Sequence, residues 1–248
     1  MKRYLSGLVL VSSFAVALDA APLDDIRFDA WGKWALSRLD RPAYFLDREG
    51  LIALAVPPPP ENSSTETRAE LDELLKLQQE RTPAQVKSMT KHLDYDGVCS
   101  AILASTHRKL ARAPKTRALL RHVQMDASLA LFHAKKRFNR ARPHQLEPRL
   151  HPAISVPSHP AYPSNHALQG YMVARTLSLL FPQESDDLMT VGEQIGRERE
   201  IAGLHYPSDS KASRALGAEL FARLQQNERF LAEVEAARKE WNLARDGD

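Results

Sequence analysis

Apolar side chains recur at helical spacing through most of this chain, and nowhere do they alternate as a half-buried strand requires. Ala69, Leu71, Leu74, Leu75 and Leu77 follow the capping residues of Asn62–Thr65, and Val86, Met89 and Leu93 follow Thr82-Pro83. Pro114 opens a long amphipathic stretch through Leu119, Leu120, Val123, Leu129, Leu131 and Phe132 to Lys135. Leu168, Met172, Leu177 and Leu180 continue the period from Ser164 or Asn165, Leu188, Val191 and Ile195 from Ser185, and Leu216, Leu220 and Leu224 from Pro207. Proline suits a helix start, where its missing N–H has no partner to lose. Asp96 reads as the cap of a further helix over Gly97–Ser105. With 248 residues, enough for one sizeable core, and no repeat, the expectation is all-α: a single-domain helical bundle.

Three segments are expected. Residues 1–21 read as a secretory signal peptide, with Lys2 and Arg3, an apolar run from Leu5 to Leu18, and small residues at Ala20-Ala21. That run of about 15 residues is short of the about 20 that a bilayer span needs. Residues 22–60 form an N-terminal arm carrying Trp31, Trp34, Tyr44 and Phe45, ending in a stiff hinge at Pro57–Pro60, and residues 61–248 form the helical domain. No later stretch is long and apolar enough to cross a membrane, so the mature chain is expected to be periplasmic or secreted, without stable membrane insertion. Its single cysteine, Cys99, lies in an apolar stretch and reads as a buried small hydrophobe. A net charge of +3, spread along the chain, gives no support to nucleic-acid binding.

Three short stretches carry chemistry. In Arg199–Asp209, a helix that ends at Gly203 and restarts at Pro207 lets Arg199 approach His205, and puts Asp209 in the first turn of the next helix, near enough to hold the His205 ring. Pro163-Ser164-Asn165-His166 opens a helix whose free N–H groups and positive dipole end make an anion site, with His166 beside it. Lys135 and Arg142 flank a helix end, and Pro143 pushes Arg142 out of the helical region. Taken alone, the first two stretches read equally as caps, and Lys136, Arg137 and Arg140 as a solvated basic face. Together the three offer three cations, a helix N-terminus and two histidines for one phosphate. His205, with Asp209 as partner, suits nucleophilic attack; His166 suits the acid. His144, His151 and His159, in the proline-rich loop before Pro163, could wall the substrate pocket or bind adventitious metal, but fit no zinc spacing and read more safely as loop or surface histidines.

The order and spacing K-x6-RP, PS-x-H and R-x5-H-x3-D resemble the signature of the type-2 phosphatidic-acid-phosphatase (PAP2) superfamily, which includes bacterial class A non-specific acid phosphatases and vanadium haloperoxidases. The exported leader and lack of membrane spans make the chain most similar to the soluble acid phosphatases. The resemblance implies a helical bundle that hydrolyses phosphomonoesters through a phosphohistidine, with no metal and no cofactor. It puts His205, His166 and Asp209 in the catalytic roles, and Lys135, Arg142, Ser164, Asn165 and Arg199 on the phosphate oxygens. Small-molecule phosphomonoesters are the expected partners, with a homo-oligomer left open. Asn165 stands where the family has glycine, and asparagine tolerates unusual backbone angles. Glu198, in place of serine, brings a negative charge that could pair with a cation there. The alternatives are a vanadium-dependent haloperoxidase, a lipid or pyrophosphate phosphatase of the same superfamily, or a periplasmic phosphate-binding protein with a decayed site.

Overall fold

The computed structural model of the chain describes residues 22–245, so the expected leader lies outside the described residues. Eleven helices and no strand are found among them. In the arm, α1 is Lys33–Leu36 and α2 is Arg48–Ile52. The body holds α3 (Thr65–Glu80), α4 (Pro83–Met89), α5 (Tyr95–Ala104), α6 (Pro114–Phe138), the short α7 (Pro143–Leu146), α8 (Asn165–Leu180), α9 (Ser185–Ile201), α10 (Pro207–Leu224) and α11 (Glu228–Arg245).

Local chemistry explains the helix starts. Ser64 Oγ accepts the Thr67 N–H at α3, and Thr82 and Gln85 close a reciprocal capping box at α4. At α5 the cap is Asp94, whose Oδ1 accepts the Gly97 N–H at 2.7 Å, and not Asp96 as expected. Asp96 falls inside the first turn, where its charge favours the helix dipole but cannot satisfy the terminal donors.

The α8 helix lies at the centre, packed by α5, α6, α9 and α10. Its Leu168, Met172 and Leu177 join Leu129, Phe132, Ile195, Leu216 and Leu220 in the main core, all 2% exposed or less. Truncating one such leucine to alanine typically costs about 2–5 kcal/mol. The α8–α9 contact is backbone to backbone: a Cβ on Gly192 would lie 2.6 Å from the Gly170 carbonyl, and one on Gly170 would strike the Gly192 carbonyl. No other residue fits there, and the two glycines set the distance between the ends that carry His166 and Arg199.

The arm is pinned across the body by a buried carboxylate. Asp126, in mid-α6 and fully buried, accepts the N–H groups of Tyr44, Phe45 and Leu46 at 2.6–3.0 Å. Asn139, left-handed at the C-cap of α6, binds the arm twice, accepting from the Trp31 indole and donating to the Phe28 carbonyl. Tyr162 donates to the Pro57 carbonyl at 2.5 Å, holding the start of the proline run against the body.

Candidate active site

Two helix starts meet at the site. After α9, Gly203 at φ 74° turns the chain back, and α10 restarts at Pro207, which leaves His205 just before the helix and Asp209 in its first turn. The Ser164 N–H donates to the Asp209 carbonyl at 3.1 Å, and the single Ser213 hydroxyl proton is shared between the Ser164 and Asp209 carbonyls, 2.7 and 2.9 Å away. The N-terminus of α8 is thereby latched to the first turn of α10, bringing together residues 45 positions apart in the chain.

His205 is 2% exposed, and both ring nitrogens are engaged. Nδ1 lies 3.0 Å from Asp209 Oδ2, and Nε2 lies 3.3 Å from Arg142 Nη1. A guanidinium has only N–H donors, so Nε2 must be the acceptor and Nδ1 must carry the proton. Asp209 therefore holds the tautomer whose Nε2 carries the lone pair, which accepts from Arg142. Burial and the nearby Arg142 and Lys135 charges push the His205 pKa down to about 3, against the pull of Asp209. Burial would raise Asp209, but Arg140 at 2.7 Å and the His205 contact outweigh it and hold the carboxyl at about 2.

The structure places the expected cations unequally. Arg142 is fully buried, donating to the Leu204 and His159 carbonyls as well as facing His205. Lys135 is also fully buried, with all three ammonium protons given to the Pro160, Ala161 and Pro163 carbonyls at 2.5–2.9 Å. It holds the loop leading into α8, and an oxyanion would have to win a donor from a carbonyl. Desolvation and the Arg142 charge lower its pKa well below the ordinary lysine value. Arg199 donates to the Met89 carbonyl at 3.0 Å while its buried Nε has no partner.

His166 sits in the first turn of α8, with a buried Nε2 that has no protein partner. Burial and the charges of Arg199 and His205 lower its pKa well below 6.5, against the carbonyls of His92 and Leu93. Ser164 is the N-cap, accepting the Ala167 N–H at 3.4 Å. Asn165 is the first residue of α8 with a negative φ, so its tolerance of unusual backbone angles is not called on.

Two readings of the sequence are corrected. Arg140 is not on a solvated face: helix α6 ends two residues earlier, and Arg140 turns inward, 3% exposed, to pair with Asp209 and with Glu70 of α3, its guanidinium 3.8 Å from the Tyr206 ring centre. His159 is no surface histidine but is 5% exposed, with Nδ1 3.2 Å from Arg142 Nη2. Neither carried a local signal, because their partners lie 69 and 17 residues away in the chain. Glu198 does bring its charge to a cation, lying 3.8 Å from Arg199, and also 3.2 Å from His92 Nδ1. Among the described residues no three His, Cys, Asp or Glu side chains converge as a metal site would require.

The helical bundle thus buries a histidine–aspartate pair against an arginine, beside a helix N-terminus. The PAP2 superfamily model matches residues 122–228, a span that contains every one of these candidate residues from Lys135 to Asp209. It is 33% identical over 134 residues to a non-specific acid phosphatase of Salmonella typhimurium, covering 52% of this chain and 54% of that one. A non-specific acid phosphatase of Providencia stuartii is 29% identical over the same coverage. The match thus spans about half the length of these relatives. The fold is shared with a bacterial vanadium-dependent iodoperoxidase (TM-score 0.55, 15% identity, 68% of this chain and 51% of that one). It is shared also with a bacterial vanadium-dependent chloroperoxidase (TM-score 0.62, 13% identity, 82% and 55%).

Proposed function

We propose that this chain is an exported acid phosphatase that hydrolyses small phosphomonoesters through a phosphohistidine, without a metal or cofactor. The observation that carries the reading is the state of His205: Nδ1 toward Asp209, and Nε2 accepting from an arginine that a phosphate oxygen could draw away. The acid phosphatase relatives support it, and the apolar run at residues 5–18 supports export.

In this reading Arg142 moves from Nε2 to a phosphate oxygen as substrate enters. The anionic ester beside His166 lets it take up a proton from solvent; the Nε2 lone pair of His205 then attacks phosphorus, the P–O ester bond breaks, and its electron pair leaves with the ester oxygen, which takes that proton from His166. Asp209 stabilises the positive charge that develops on His205. The now neutral His166 then takes a proton from water as that water attacks phosphorus, and the P–N pair returns to His205. Arg142, Arg199 and Lys135, with the free N–H groups of α8, meet the charge spread over the equatorial oxygens. The unpartnered His166 Nε2 and Arg199 Nε are atoms that a bound oxyanion and ester oxygen would satisfy.

The test is phosphate release from p-nitrophenyl phosphate at acid and neutral pH with excess EDTA, beside His205→Ala. Release that survives the chelator and vanishes in the variant is expected. No release from the wild type overturns the reading; halide oxidation after vanadate loading would then favour the haloperoxidase alternative, and anion binding without turnover a binding protein.

A further inference from the structure

Seven of the candidate residues are 8% exposed or less: Lys135, Arg142, Ser164, Asn165, Arg199, His205 and Asp209. Only His166 is partly exposed. An ester must therefore enter past the first turn of α8, and there Asn165 forms part of the wall of a cavity of about 530 Å³. That is an ordinary size for a small-molecule site.

The cavity lies between the arm and the body. One wall is apolar, with Leu93, 56% exposed, Met125 and Phe132. Trp34, 53% exposed, adjoins this surface, and Arg38 and Arg41 also line the cavity. Trp34 meets Phe132 edge to face at 5.7 Å and stacks with His159, whose Nδ1 and carbonyl hold Arg142, so one side chain separates this part of the cavity from Arg142. The Arg38 guanidinium is fixed 4.1 Å from the Trp34 ring centre.

The charges are unbalanced. Of the two carboxylates in the wall, Asp94 caps α5 and Asp96 pairs with Arg121 at 3.2 Å. The charge acting on Arg38 is that of Arg41, a like charge, and no carboxylate offsets either among the described residues. Two neighbouring guanidinium groups without a counter-charge, facing an exposed apolar surface, suit a ligand that is apolar in body and anionic at its far end.

We propose that this cavity receives the leaving group of the ester, and that Arg38 and Arg41 select esters whose leaving group joins a flat apolar body to a second anionic group. The proposal rests on the phosphatase reading above and names its substrate class. No conventional catalytic residue is involved: the two arginines act on the part of the ester that does not react.

The test compares kcat/KM for 3-carboxyphenyl phosphate and phenyl phosphate, and follows their ratio from wild type to the Arg38→Ala/Arg41→Ala double variant, which cancels the intrinsic reactivity of the two esters. The ratio is expected to fall about tenfold, the worth of one charge-assisted hydrogen bond, and mostly through KM. Should loss of the Trp34 stack unfold the double variant, Arg41→Glu decides alone, since Arg41 is exposed: it should lower the ratio and favour 3-(aminomethyl)phenyl phosphate, whose leaving group is cationic. An unchanged ratio in both variants overturns the pocket assignment while leaving the phosphatase reading intact. Failure of wild type to hydrolyse either ester would sink that reading and this one with it.

Discussion

Arg142 Nη1 stands 3.3 Å from His205 Nε2, so a cation covers the ring nitrogen that carries the lone pair. The same contact and the 3.0 Å contact to Asp209 on the other side leave the imidazole one tautomer. Arg142 is held in turn by the carbonyls of His159 and Leu204, which fix its plane.

Arg142→Lys should therefore not be conservative. A lysine cannot reach several carbonyls and a phosphate in one plane. The expected loss in kcat/KM for p-nitrophenyl phosphate is about 10²–10³, the usual cost of one preorganised donor. A variant with wild-type kcat/KM would remove Arg142 from the phosphate.

Arg140→Ala should destabilise the fold while His205 stays intact. It strips Asp209, fully buried, of its strongest counter-charge and leaves Glu70 half-paired. Breaking a buried pair in this way costs about 3–5 kcal/mol. Urea unfolding checks it, and a loss below 1 kcal/mol would show that the network is not stabilising.

For His166, the leaving group is the reporter. His166→Ala should slow phenyl phosphate more than p-nitrophenyl phosphate, because the better leaving group needs less protonation. Equal slowing of both would take His166 out of the acid role.

Stability and anion binding should both follow the depressed histidines. His205 at about 3, with His166 and His159 also lowered, takes up protons in the unfolded chain from about pH 6.5 downward while the fold excludes them. Their contribution is therefore complete above pH 6.5 and is lost as pH falls through that range. A dianion in the site restores favourable protonation, so the Tm shift caused by millimolar sulfate, which stays doubly charged, should be larger at pH 5 than at pH 7.5. Equal shifts would mean that sulfate binds elsewhere.

Gly192→Ala should disturb the site from a distance. The new methyl meets the Gly170 carbonyl at 2.6 Å, and α8 and α9 must separate to admit it. A cost of about 1–3 kcal/mol is expected, together with lower kcat, since His166 and Arg199 ride on those helices. Unchanged Tm and kcat would show that the contact is looser than its geometry.

Much of the site was legible because its signals are local. The break between Ile201 and Pro207, the cap at Ser164 and the proline after Arg142 are each written within a few residues, and each appears where expected. Asp94 in place of Asp96 shows the limit even there, since either acid suits a helix start and only the backbone decides which is outside it.

Distance in the chain marks the rest. Local spacing was enough for the helical class, most of the helix starts and the pairing of His205 with Asp209 four residues on, because each is decided within a few positions of the chain. Tertiary packing alone decided that Arg140 turns inward to Asp209, that Asp126 anchors the arm, that Lys135 spends its protons on three carbonyls, and that Trp34, Arg38 and Arg41 wall a cavity beside Asn165. A charge reads the same in sequence whether water or a buried partner surrounds it. Burial depends on chain segments tens of residues away, and it changes what each of those side chains can do.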